Sequence, residues 1–156
     1  MKIEKIKGIW FYGVSGSGKT YLSEILKKKI KNCILVDGDI VRKYISFDLD
    51  YSLKDRQIQI KRMLGIGKII SLSKKFPIIS TVYFDKKLLK LCKKEKFYVL
   101  RIIRKNKKSI KKNNLTYKNK VNIVGEDISY EKFKTHKLIN DDTKYFWKKD
   151  KVLSLL

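Results

Sequence analysis

Near the N-terminus the run Gly13-Val-Ser15-Gly16-Ser17-Gly18-Lys19-Thr20 matches G-x-x-x-x-G-K-[ST] at every fixed position. Each fixed position has a chemical reason. Glycines let successive backbone N–H groups turn toward a β-phosphate, Lys19 has the reach for the β- and γ-phosphates, and the Thr20 hydroxyl suits Mg²⁺. Gly13, Ser15, Gly16, Ser17, Gly18, Lys19 and Thr20 are therefore candidate nucleotide-binding residues, with ATP and Mg²⁺ the implied cofactors. Downstream, Asp37 and Asp39 flank Gly38. One such carboxylate can orient or deprotonate an attacking hydroxyl while the other holds water on Mg²⁺. Asp37, Asp39 and Lys19 are the candidate catalytic groups, and Thr20 and Asp37 the candidate metal-side groups. How the two aspartates divide the work is open at this level, and an Asp of this turn also has the competing use of capping the helix at Ile40-Val41.

The elements that must position these residues alternate along the chain. Gly8 to Gly13 encloses an aromatic and β-branched run that suits a buried strand. From Lys19 to Lys31, Leu22, Ile25, Leu26 and Ile30 fall at helical spacing, so the loop opens a helix whose N-terminus favours an anion. Cys33 to Val36 is a second strand that runs into the acidic turn. A short helix is expected over Ile40 to Ile45, a loop over Asp48 to Ser52, and a longer helix over Lys54 to Lys75, weakened by Gly65 and Gly67. Further strands are expected at Ile78 to Val82, Phe97 to Ile103 and Lys137 to Asn140. A helix is expected over Lys86 to Lys94, helix and mobile loop over Lys105 to Lys120, and a closing helix over Thr143 to Leu155. This order predicts an α/β fold, a three-layer sandwich with a mostly parallel sheet of about five strands and helices on both faces.

Composition bounds the rest. The 156 residues are expected to form one domain, residues 1–156. The hydrophobic share of 43% is too high for a disordered polycation, although Lys+Arg number 39 against 15 Asp+Glu, for a net charge of +24. No apolar run approaches the roughly 20 residues of a membrane span, and the N-terminus has no signal-peptide core, so a cytoplasmic protein without a membrane partner is expected. Cys33 and Cys92 have neither disulfide-scaffold nor zinc spacing. The positive balance fits nucleic-acid binding, but 34 of the basic residues are Lys scattered along the chain, which reads as drift in residue usage and makes that role the weaker one. The five arginines say more: Arg42, Arg56 and Arg62 cluster in one short stretch, where a forked planar donor matches a tetrahedral oxyanion.

Three segments in order, Gly13 to Thr20, Val36-Asp37-Gly-Asp39-Ile-Val-Arg42, and Tyr51-Ser-Leu-Lys-Asp55-Arg56-Gln-Ile-Gln59-Ile-Lys61-Arg62, resemble the adenylylsulfate kinase family of P-loop NTPases. The likeness continues faintly through Ile78 to Tyr83 and Val124 to Glu131. The resemblance implies transfer of the ATP γ-phosphate to the 3′-hydroxyl of adenosine 5′-phosphosulfate, a small nucleotide-linked acceptor, in the setting of sulfate assimilation. It also implies a homodimer. It makes Asp39 or Asp37 the carboxylate facing that hydroxyl, Arg42 and Arg56 contacts of the phosphosulfate or ribose side, and Tyr51 the ring that stacks on the acceptor's adenine. Gln59 stands where the family usually has Asn, and Lys61-Arg62 where it has two arginines, so Gln59 and Arg62 complete the candidate acceptor set.

The departures fall on the acceptor side. Ser80-Thr-Val-Tyr83-Phe-Asp85 lacks the proline and arginine of the family's Ser-Pro-Tyr-Arg signature, and Lys111 to Lys120 stands in place of its lid, with Tyr117 to Gly125 shortened. Cytidine diphosphoramidate, an acceptor used on the same scaffold, and a nucleotide-gated nucleic-acid module are the alternatives carried forward. His136 reads as structural, Trp10 as core, and Trp147 with Tyr145 and Phe146 as the anchor of the last helix.

Overall fold

The computed structural model describes residues 6–106 and 121–155. Five strands, β1 (Gly8–Tyr12), β2 (Cys33–Asp37), β3 (Phe76–Thr81), β4 (Phe97–Arg104) and β5 (His136–Asn140), form one sheet in the order β2-β3-β1-β4-β5. Every pairing is parallel. The helices are α1 (Lys19–Lys29), α2 (Gly38–Tyr44), α3 (Leu53–Leu72) and α4 (Lys86–Lys94). The expected layered α/β architecture is the one observed. Of the basic stretch expected over Lys105 to Lys120, residues 107–120, which include the lid segment Lys111 to Lys120, lie outside the described residues.

Burial on both faces explains why the strands read as continuous apolar runs rather than as alternating ones. In β1, Ile9 and Phe11 pack with Leu22 and Leu26 of α1, while Trp10 and Tyr12 pack with Ile60 and Met63 of α3 and Leu88 of α4. All four β1 side chains are almost fully buried. The central strand therefore ties both layers together, and the phosphate-loop motif begins at the residue after it.

Local chemistry sets the helix ends. Asp37 caps α2 by accepting the Asp39 N–H at 2.9 Å. Ser52 caps α3 by accepting the Asp55 N–H at 3.1 Å, and its hydroxyl donates to the Asp55 carboxylate at 2.8 Å. Helix α1 has no acidic residue in its first turn and three lysines, Lys27 to Lys29, in its last. Its positive end is left for an anion while its negative end is compensated.

The closing helix expected over Thr143 to Leu155 does not form. In its place stand two 3-10 turns, Phe146–Lys149 and Leu153–Leu155. Asp150 is the reason: one carboxylate oxygen accepts the N–H groups of Val152 and Leu153, and the other accepts the buried Tyr98 hydroxyl at 2.9 Å. A side chain that takes backbone donors in this way competes with the helical ladder. The aromatic reading holds in part, since Phe146 and Trp147 are buried and Tyr145 is exposed.

Helix α3 runs unbroken through both of its glycines, and they differ in surroundings. A Cβ on Gly67 would lie 2.6 Å from Ile79 Cδ1 and 3.2 Å from the Phe97 ring, whereas one on Gly65 would meet nothing within 4 Å. Gly65→Ala is expected to stabilise the protein by about 0.5–1 kcal/mol through helix propensity alone. Gly67→Ala must overpack the helix–sheet interface and should leave the protein about 1–3 kcal/mol less stable than Gly65→Ala. Urea denaturation of the two variants checks the sign and the gap.

Candidate functional site

The carbonyl groups of the loop between β1 and α1 are tied back by side chains. Lys19 Nζ donates to Gly13 O at 2.9 Å and to Val14 O at 3.0 Å. Arg104, at the end of β4, donates to Gly16 O at 3.1 Å, and Asn140, at the end of β5, donates to Ser17 O at 2.9 Å. A loop whose carbonyls are held in this way can present N–H groups to an anion at the head of α1. Two glycines are obligatory for steric reasons. A Cβ on Gly13 would lie 2.3 Å from Ile102 O, and Gly18 caps α1 at φ 104° with Asn140 Nδ2 only 2.5 Å from where its Cβ would be.

A cavity of about 220 Å³ opens above this loop, and Ser15, Gly16, Gly18, Lys19, Thr20 and Asp37 are among its walls. Gly13 and Ser17 line neither cavity of the site. Ser17 is fully buried beneath the loop with its N–H donated to Val14 O, and Gly13 serves through its carbonyl. Burial pulls the Lys19 ammonium down to about 8 from its ordinary range, while the nearby Asp37 and Asp39 carboxylates hold it up.

The acidic turn is fixed from two sides. Register places Asp37 of β2 beside Ser80 of β3, and the Ser80 hydroxyl donates to Asp37 Oδ2 at 2.9 Å. Asp37 Oδ1 takes the Asp39 N–H, so the helix-capping use of Asp37 is realised together with its place at the phosphate cavity. Asp39 faces further out. It lines the phosphate cavity and also a second one of about 500 Å³, with Ser15, Gly38, Thr81 and Val82 as the other shared walls.

Arg42, Tyr51, Arg56 and Gln59 all line that larger cavity. Arg42 donates to the carbonyls of Leu49 and Asp50, and Arg56 to those of Tyr51 and Asn122. Both guanidiniums lie over the Tyr51 ring, at 4.6 and 5.4 Å from its centre. Burial, then the neighbouring Arg42 charge, push the Arg56 pKa down, so the pocket carries a positive charge that an anion would relieve. Gln59 is buried and donates to Gly38 O at 3.1 Å. Arg62 is the exception among the expected residues. Its guanidinium is forked onto the Asp48 carboxylate, at 2.7 Å for one arm, and it lines neither cavity.

Several wall residues escaped the sequence reading. Arg104 and Asn140 reach the loop from 88 and 123 residues away, and nothing in either's local sequence signals it. Thr81 at the end of β3, with Val82 and Tyr83 after it, lines the larger cavity, and Asn122 to Val124 close another side. His136 lies against the Tyr98 ring at 4.9 Å, at the start of β5.

Comparison with known proteins now adds to this geometry. The family model described as adenylylsulphate kinase matches residues 5–98, more than half of the chain and all of the segment that carries the loop, the acidic turn and α3. The chain belongs to the adenylylsulphate kinase family. An adenylyl-sulfate kinase of Buchnera aphidicola subsp. Acyrthosiphon pisum is 41% identical over 46% of this chain and 38% of its own length. A probable adenylyl-sulfate kinase of Halalkalibacterium halodurans is 39% identical over 42% of this chain and 33% of its own. The matched region thus spans only about a third of these adenylylsulphate kinase relatives. The fold extends the likeness: the APS kinase CysC of Mycobacterium tuberculosis, solved with AMPPNP and APS, superposes with a TM-score of 0.72 at 20% identity, covering 88% of this chain and 90% of that one. Among the described residues, no helix is long and apolar enough to cross a membrane.

The Lys19 environment generates a pH dependence. The charged ammonium is the form that attracts a polyphosphate; it predominates below about pH 8 and is lost above it. Affinity for ATP is therefore expected to fall as pH rises from about 7 to about 9.5, with proton uptake on binding above about pH 8. Calorimetry in two buffers of different ionisation enthalpy measures both, and Lys19→Ala should abolish the proton uptake.

Proposed function

We propose that this chain is an ATP- and Mg²⁺-dependent kinase that phosphorylates the 3′-hydroxyl of adenosine 5′-phosphosulfate, giving 3′-phosphoadenosine 5′-phosphosulfate. The observation that carries this reading is the position of Asp39 on the shared wall of the two cavities. A donor nucleotide on the loop side and an acceptor on the Arg42/Arg56 side would meet across that carboxylate, as an in-line transfer requires.

The roles follow from what each side chain faces. Loop N–H groups, the head of α1 and Lys19 hold the β- and γ-phosphates and offset the charge that develops on the transferred group. Asp39 orients the acceptor hydroxyl and takes its proton. Asp37 touches only the phosphate cavity, which suits the metal side. Among the described residues no three His, Cys, Asp or Glu converge as a metal cage. That donor set fits Mg²⁺, which keeps several waters and leans on substrate phosphates plus one or two protein oxygens, here Thr20 Oγ1 and Asp37. The ion would neutralise phosphate charge and fix the angle of the γ-phosphate. Arg42 and Arg56 meet the phosphosulfate, and Tyr51, already covered by their guanidiniums, braces them as well as offering a surface to the base.

The direct test is ADP release with adenosine 5′-phosphosulfate. Asp39→Asn is expected to lower kcat by about 10²–10⁴-fold with ATP affinity nearly unchanged. Lys19→Ala should lose about 10²–10³-fold and weaken ATP binding as well. Arg62→Ala should change the acceptor KM less than Arg42→Ala or Arg56→Ala does, because its guanidinium is spent on Asp48. A protein that binds ATP yet turns over no nucleotide-linked acceptor overturns the reading.

A further inference from the structure

The geometry points to the amino-terminal edge of the sheet, the end opposite the two cavities, as a docking surface for an anionic lipid bilayer. This does not depend on which acceptor the protein takes.

All strand pairings are parallel, so one edge of the sheet gathers the loops that wall the cavities, and the other gathers the turns that lead from α1, α3 and α4 into β2, β3 and β4. These turns touch one another and the start of the chain's first strand: the Lys7 N–H donates to Lys96 O at 2.9 Å, and the Phe76 N–H to Asn32 O at 2.9 Å. Lysine looks scattered in the sequence, but the fold segregates it here. Residues 6–7, 27–32, 72–75 and 93–96 hold ten lysines, all exposed, with no arginine and one acid, Glu95. Lys68 pairs with that acid at 2.9 Å and, with the Lys94 and Lys7 charges, keeps its carboxyl below the ordinary range. Asp37, Asp39, Asp85 and Asp141 lie at or just past strand ends on the opposite edge.

Helix dipoles explain part of this charge, since Lys27 to Lys29 and Lys93-Lys94 stand in the last turns of α1 and α4. Lys74 and Lys96 need another reason. They follow the C-caps of α3 and α4 with left-handed backbone, at φ 57° and 60°. Glycine or asparagine takes that conformation at less cost, and Asn32 does so after α1. A lysine held there against its conformational preference points to a use for its charge.

The apolar residues of the same end decide the partner. Helix α3 has no basic residue in its last turn; Ile69 and Leu72 stand there, 65% and 80% exposed, and Leu91 of α4 is 42% exposed. The Lys68–Glu95 pair joins the ends of α3 and α4, so these side chains and the lysines share one surface. Lysines around projecting leucine and isoleucine suit a bilayer: the ammonium groups meet phosphate and carboxylate headgroups while the apolar side chains enter the acyl boundary. A nucleic-acid surface favours guanidiniums and stacking rings. None of the five arginines lies at this end, three being on α2 and the first half of α3 and two in the second half of β4. The contact is peripheral, with no spanning helix, and it turns both cavities toward solvent.

The test is sedimentation of the whole chain with vesicles of phosphatidylcholine alone and of phosphatidylcholine mixed with phosphatidylserine. The wild type is expected to bind the anionic vesicles at least about tenfold more tightly than the neutral ones, and less tightly as salt is added. Lys74→Gly combined with Lys96→Gly separates charge from folding. That variant should unfold at a higher temperature than the wild type, because glycine relieves both left-handed positions, yet bind anionic vesicles about tenfold more weakly. Leu72→Ser should weaken binding by about threefold or more. Lys87→Gln combined with Lys132→Gln, an equal loss of charge toward the other edge, should stay within about twofold of the wild type, as should ATP affinity when vesicles are present. No binding to anionic vesicles overturns the inference, as does a glycine variant that binds as well as the wild type or an equal loss in the Lys87 and Lys132 variant. A single-stranded RNA oligomer that binds more tightly than the vesicles, and is released by the same two glycine substitutions, overturns it in favour of nucleic acid. A fall in ATP affinity beyond twofold on vesicles overturns the orientation.

Discussion

The site depends on one constraint: four carbonyl oxygens of the loop after β1 are held by side chains. Lys19 holds two of them, Arg104 a third and Asn140 a fourth. Backbone amides can gather around an anion only if the carbonyls between them are turned away and satisfied, because each buried polar group needs a partner. The central strand, the two strands that supply Arg104 and Asn140, and the helix that supplies Lys19 all converge on that requirement. The rest of the architecture carries the second half of the site up to this fixed point.

That second half is assembled differently. The phosphate loop is braced by three parts of the chain, whereas the larger cavity, the proposed acceptor side, is walled by α2, α3 and loops cross-tied by arginines. Arg42 pins the segment before α3, and Arg56 pins both that segment and Asn122. The same guanidiniums that would attract an anion therefore also hold the wall in shape, with Tyr51 as a common platform. Electrostatic attraction and loop order are coupled on this side, and a basic residue here cannot be treated as a charge alone.

Much of this was legible from the residues. Glycine spacing and the apolar run before it located β1 and the loop, helical periodicity located α1, and the acidic turn after Val36 fell at a strand end because β2 ends there. Local signals sufficed where the interaction was local, as with the aspartate cap of the acidic turn. They failed where distant partners decide. The C-terminal segment has an amphipathic look but breaks into 3-10 turns because Asp150 is claimed by Tyr98, more than fifty residues earlier, and by two backbone N–H groups. Asn140 looked like an ordinary strand end and Arg104 lay just past one, and Arg62, preceded in sequence by Arg42 and Arg56, is turned to Asp48 in space.

The strand order has a dynamic consequence. Among the described residues β2, which ends at Asp37 and leads into Asp39, is an outer strand paired with β3, while the phosphate loop issues from β1 at the centre. Protein segments open locally with free energies that are lowest at the periphery. Fraying of β2 would carry the carboxylates off and leave the loop standing, so under the proposed function the molecule would have an excursion in which it grips a triphosphate but is chemically silent. Amide exchange along Cys33–Asp37 that is faster than along Gly8–Tyr12 would be its signature.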